Sequence, residues 1–176
     1  MTAPKAARMM MVGPMADNTS SPPEVDLRIE DDAWLGAADE KELLVLALRA
    51  LSQAASATRT GRVDLLLTGD PQMQALNRDW RQKDKPTDVL SFPSDEPAFR
   101  AGFLGDISLG FGVFDQDRTN LGRDFNAHFS HLLVHGYLHL LGFDHETEDE
   151  ASEMEALETK ILAELGYSDP YSQPDM

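Results

Sequence analysis

Val25, Leu27 and Ile29 alternate with Asp26, Arg28 and Glu30, the period-two pattern of a half-buried strand. From Asp39 to Ala57 the period lengthens. The segment lacks Gly and Pro, opens with acids that complement a helix dipole, and carries Leu44, Leu48, Leu51 and Ala55 at helical spacing. Arg62–Thr68 reads as a second strand, and Asp70-Pro71 then offers an N-cap and a first-turn proline for a helix reaching about Trp80. The polar stretch from Arg81 to Thr87 is expected to be a loop, Asp88–Phe92 a third strand stopped by Pro93, and Gly105–Leu109 a fourth. After Gly122 the spacing is helical through Leu141, with Phe125, Phe129, Leu132 and Leu133 on one stripe and Gly142 as the stop. Thr147 and Glu150 form a capping-box pair for a last helix with Ala151, Met154, Leu157, Ile161 and Leu165 on its apolar face. Strands cease to alternate with helices halfway along. The expected class is therefore α+β, a small mixed four-stranded sheet covered by about five helices in a single domain.

Composition narrows the chemistry more than the fold. The 176 residues suit one domain, assigned to 24–171, with a disordered N-terminal tail over 1–23 and a short C-terminal tail over 172–176. The first of these tails holds five of the eight methionines and no apolar core of the length a secretory signal needs; a transit segment or a later translation start are its alternatives. No run of about 18 apolar residues exists, so no membrane helix is expected and a cytoplasmic location fits. The absence of cysteine excludes disulfides, thiolate metal sites and cysteine nucleophiles, leaving histidine and carboxylates as strong metal ligands. The net charge of −16 opposes any grip on nucleic acid except where cations are gathered locally.

Chemistry concentrates in H-G-Y-L-H-L-L-G-F-D-H, His135 to His145. His135 and His139 are four apart on a helix, which places both imidazoles on one face at a spacing that binds one metal ion. A left-handed Gly142 would reverse the chain and return His145 as a third ligand, leaving a fourth position open for water. A His131/His135 pair is the rival arrangement, and ordinary hydrogen-bonding histidines are the plain alternative. The spacing matches that of metzincin peptidases, but Gly136 stands where those enzymes carry a glutamate base, so a peptidase is the second reading. The missing side chain at Gly136 suggests a ligand or backbone passing close to the metal face. Asp144 is either a partner orienting a ligand imidazole or a cap of the following turn; Asp106 is a further candidate partner.

Arg78, Arg81, Lys83 and Lys85 fall within eight residues of this acidic chain. By charge alone they describe a solvated loop paired with Asp79, Asp84 and Asp88; beside a hydrolytic metal they describe a phosphate grip.

In these two segments, L-N-R-D-W-R-Q-K-D-K-P-T-D-V-L-S-F-P (Leu76 to Pro93) and the histidine motif, the sequence resembles the YbeY family of metal-dependent endoribonucleases. Supporting stretches are G-D-I (Gly105 to Ile107), E-M-E-A-L-E (Glu153 to Glu158) and L-G-Y-S-D-P-Y (Leu165 to Tyr171). The resemblance implies one zinc ion held by His135, His139 and His145, a catalytic Arg81, and RNA contacts from Arg81, Lys83 and Lys85. It also implies action on single-stranded RNA in maturation of the 3′ end of small-subunit (16S) rRNA and in ribosome quality control. The implied partners are the small ribosomal subunit, its proteins and a ribosome-associated GTPase, with no membrane. A non-catalytic assembly factor with structural zinc is the alternative of a different class, in which metal removal would unfold the protein.

Overall fold

The structure, a computed structural model, describes residues 21–172; most of the expected N-terminal tail and the end of the C-terminal one lie outside the described residues. Strand β1 (Glu24–Ile29) alternates exposed and half-buried positions as its sequence does. A short helix α1 (Ala33–Ala37) follows, carrying the buried Trp34. Helix α2 (Glu40–Ala57) starts at a complete capping box, with Asp39 accepting from the Glu42 amide and Glu42 accepting from the Asp39 amide. Its buried stripe is Leu43, Leu46, Ala47, Ala50, Leu51, Ala54 and Ala55, not the Leu44 and Leu48 positions that the spacing suggested. Four alanines in that stripe let α2 pack close to its neighbour, so small residues rather than the largest apolar ones mark the contact face.

Strand β2 (Arg62–Thr68) leads into helix α3 (Asp70–Arg81), and here the expected cap is wrong. Gly69 is the N-cap, while the Asp70 carboxylate accepts from the distant Val113 amide at 3.1 Å. Arg81 is the last residue of α3 rather than the first of a loop, and Gln82 ends the helix in the left-handed region. Strand β3 (Val89–Pro93), helix α4 (Glu96–Arg100) and strand β4 (Phe103–Gly110) come next. Helix α5 (Phe111–Leu121) was not legible in the sequence, because its apolar positions form no clear stripe; Phe114 is its buried residue. Helices α6 (Phe125–Leu140) and α7 (Glu148–Glu164) complete the described fold.

The sheet order is β1-β2-β4-β3, with β1, β2 and β4 parallel and β3 antiparallel at one edge. The mixed four-stranded sheet expected from the sequence is thus present, with five helices of eleven residues or more and two of five residues among the described residues. A one-residue bulge in β4 places Gly105 at φ +140°, where a side chain would strike the Phe92 carbonyl. The core lies between α2, α6 and the sheet, and an aromatic cluster around Trp34 (Phe111, Phe114, Phe125, Phe129) closes one end. No described helix is long and apolar enough to cross a membrane.

Candidate metal centre

Helix α6 is anchored to the sheet through Gly136. Gly136 is buried, and a Cβ built there would meet Ser91 Oγ at 3.0 Å and Ile107 Cγ2 at 3.1 Å. The missing side chain therefore admits the sheet rather than a ligand, contrary to the expectation from sequence. One residue is about 100° around a helix, so His135 and Gly136 face different neighbours. With the helix pressed on β3 and β4 at Gly136, His135 and His139 both lie to one side of that contact, about 100° and 60° around the helix from it.

Their Nε2 atoms stand 3.1 Å apart. Two nitrogens on one tetrahedral zinc at ~2.0–2.1 Å would be about 3.3 Å apart, so this pair already has ligand spacing. Gly142, at φ +101°, donates to the His139 carbonyl while Phe143 donates to the Leu138 carbonyl, the paired bonds of a Schellman ending. That reversal brings His145 back: one ligand atom from each of His135, His139 and His145 lies within 4.8 Å of the others. Asp144 caps the same turn, accepting from the His145 amide at 2.7 Å. Burial, then the neighbouring His135 and His145, push His139 down to about 4, so at neutral pH it offers the unprotonated form that binds metal.

Behind His135 lies a residue to which the sequence reading gave no role. Glu158 of α7 is fully buried and accepts from His135 Nδ1 at 2.5 Å, from His131 Nε2 at 3.3 Å and from the Tyr171 hydroxyl. Burial alone would push this carboxyl up; the hydrogen bonds from His131, His135 and Tyr171 outweigh it and hold the group at about 2. An ionised carboxylate on Nδ1 fixes the proton there and turns the Nε2 lone pair of His135 outward, the usual support of a ligand imidazole. A signal was present in the sequence: Glu158 sits four residues after Met154 and four before Leu162, on the apolar face of α7. His131, the rival ligand, is occupied instead by Glu158 and lies within 3.4 Å of an Arg123 nitrogen.

Asp106 does not join this group. Its neighbour Ile107 faces α6, so Asp106 points to the other side of the sheet, where burial and then Asp64, opposite it in register, push its carboxyl up. Arg81 does connect. Its Nη2 donates to the Ser91 carbonyl at 2.6 Å, and Ser91 Oγ donates to the Gly136 carbonyl at 3.2 Å, so two hydrogen bonds join it to the helix turn bearing His135. Lys83 and Lys85 are exposed beyond it, and their loop is held by Asn77, whose side-chain amide donates to the Lys85 carbonyl at 2.9 Å.

Three imidazoles within reach of one ion, and a buried carboxylate behind one of them, have the donor chemistry of metal-dependent hydrolases. Comparison with known proteins narrows that class. The family model described as Endoribonuclease YbeY matches residues 28–166. A protein from Allorhizobium ampelinum named Endoribonuclease YbeY is 46% identical over 161 residues, covering 85% of this chain and 95% of its own. One of the same name from Rhodopseudomonas palustris is 42% identical over 163 residues, covering 88% and 95%. The solution structure of TM1509 from Thermotoga maritima shares the fold, with a TM-score of 0.52 at 21% identity, covering 85% of this chain and 99% of that one. The chain belongs to the YbeY endoribonuclease family.

Proposed function

We propose that this protein is a zinc-dependent endoribonuclease for single-stranded RNA, with residues 24–171 as its catalytic domain. One zinc ion is held by His135, His139 and His145. The observation that carries the reading is the 3.1 Å spacing of two Nε2 atoms with a third histidine returned by the Gly142 turn. What zinc supplies when bound is Lewis acidity and a water whose pKa falls toward ~7.

The chain's own groups do the rest. Glu158 keeps the His135 proton on Nδ1, and Tyr171 donates to the same carboxylate. Arg81 binds the scissile phosphate; Ser91 takes one of its N–H donors and aims the planar fork, which has others to offer the phosphate. Lys83 and Lys85 hold the flanking backbone. Asp144, Glu146 and Glu150, which flank His145 in the chain, gather within 4.8 Å of one another, so RNA approaches from the cationic α3 end. Gly136 faces the sheet and supplies no base, which counts against a peptidase.

The cellular role is maturation of the small-subunit rRNA 3′ end and ribosome quality control in the cytoplasm, with the small subunit, its proteins and a ribosome-associated GTPase as partners. The test pairs zinc content with cleavage of a fluorescent single-stranded RNA by the wild type, His139→Ala, Arg81→Ala and Arg81→Lys. Stoichiometric zinc is expected, along with loss of cleavage in His139→Ala and a fall of about 10²–10³ in Arg81→Ala. Arg81→Lys keeps the charge but loses the fork, and wild-type rates there would refute the role of Arg81. A zinc-loaded wild type that leaves RNA intact would favour the assembly factor.

A further inference from the structure

The chain treats its two tryptophans in opposite ways. Trp34 is fully buried, with its indole N–H donating to the Thr68 carbonyl at 2.8 Å. Trp80 is 67% exposed, more than any other large apolar side chain among the described residues. An indole left in water forgoes the hydrophobic stabilisation that a neighbouring surface would have supplied.

Its surroundings are built. Trp80 meets Phe92 edge-on, with centroids 6.1 Å apart and planes at 63°. The Arg81 guanidinium carbon lies 5.4 Å from the same Phe92 centroid while its Nη2 is tied to the Ser91 carbonyl. Arg78, Arg81, Lys83 and Lys85 against Asp79 and Asp84 make this segment cationic by 4 − 2 = +2 in a chain of net charge −16. Arg78 is engaged with Asp79 at 3.1 Å, whereas Lys83 and Lys85 are exposed. Through Ser91 and the Gly136 carbonyl the patch is tied to the turn that carries His135.

We propose that Trp80 and Phe92 form a stacking platform for an unpaired nucleobase of the RNA substrate, with Arg81, Lys83 and Lys85 holding the adjoining phosphates. The identity of the ligand rests on the ribonuclease reading above. An exposed aromatic face among cations fits a single strand, whose bases are free to stack, and not a duplex, whose bases already are stacked. The same chemistry makes recognition tolerant of sequence, because every base has a π face.

Trp80 reports on itself, since the only other tryptophan is buried. Full-length His139→Ala protein, which binds without cleaving, is titrated with a short single-stranded RNA while indole fluorescence is followed. The matching arms are the same strand made abasic, its duplex, and an acidic peptide. Quenching by the intact strand is expected, with much less from the abasic strand and the duplex. By anisotropy of labelled RNA, Trp80→Leu, which keeps the apolar cover over Phe92, binds about five- to a hundredfold more weakly, and Trp80→Phe stays within a few-fold. Lys83→Ala and Lys85→Ala each reduce the slope of log affinity against log salt by about 0.7.

Equal quenching by the abasic strand, or Trp80→Leu binding like its parent, overturns the platform. Quenching by the acidic peptide without any by RNA assigns the patch to a protein partner and overturns it too. If Trp80→Leu in the active background also cleaves like the wild type, the platform alone falls. A zinc-loaded wild type that neither binds nor cleaves single-stranded RNA removes the ribonuclease reading and the platform together.

Discussion

Glu158→Gln tests whether the carboxylate behind the histidines governs the metal centre. The substitution keeps an oxygen that can accept from His135 Nδ1 but removes the charge and turns an amide toward the His131 and Tyr171 side of the pocket. Partners of ligand imidazoles are typically worth 10–100-fold in metal affinity, or about 1.4–2.7 kcal/mol. Because Glu158 is wholly buried and no solvent screens the contact, the effect belongs to that range rather than to that of a surface pair. A metal that binds the native state alone adds stability in proportion to the logarithm of its concentration over Kd. At the same free zinc the variant therefore loses that amount from its zinc-induced stabilisation. For a chain of this size each kcal/mol is about 2–4 °C in Tm, so the rise in Tm on adding zinc is roughly 3–11 °C smaller than in the wild type. The assay is zinc competition against a chelating dye, with melting curves of each protein with and without zinc so that any change in the metal-free fold cancels. A folded Glu158→Gln protein whose zinc Kd stays within about twofold of the wild type would show that the carboxylate does not orient His135.

Two stability measurements probe the scaffold. His128 is 3% exposed, packs on Phe114 with centroids 5.0 Å apart, and neither of its ring nitrogens has a hydrogen-bond partner. Burial, then His131, Arg123 and Arg118, push it down to about 4 from an ordinary 6.5, so the unfolded chain takes the proton first and stability falls as pH drops from 6.5 to 4. His128→Phe is expected to be more stable by ~1 kcal/mol at pH 7, with the advantage growing toward roughly 3 kcal/mol more near pH 4. Urea unfolding of the chelated proteins at pH 7 and pH 5 checks this, and an unchanged gap between them would refute it. Gly105→Ala puts a Cβ 2.3 Å from the Phe92 carbonyl at a φ of +140°, so a loss of about 2–3 kcal/mol is expected in the same experiment. A loss under ~0.5 kcal/mol would mean that β4 can shift to make room.

What could be read from the chain by itself was whatever is decided within a turn or two. His135 and His139 share a face because they are four apart, and Gly142 ends α6 because a left-handed residue was needed one step past it. The alternation of β1 and the Asp39–Glu42 cap are equally local. Once these short-range signals coincide with the Leu76–Pro93 stretch, the family is legible too. Tertiary structure decided what depends on partners distant in sequence. Glu158 reaches His135 across 23 residues, and Asp70 serves α5 rather than its own helix because Val113 lies 43 residues away. The buried stripe of α2 was set by what α6 could accept, and the void at Gly136 belongs to Ser91 and Ile107 on two different strands. Spacing along one helix specifies which side chains share a face, but which face is buried, and against what, is settled only when the other elements compete for it. For that reason the grouping of His135, His139 and His145 was readable in advance, and which of them the buried Glu158 would hold was not.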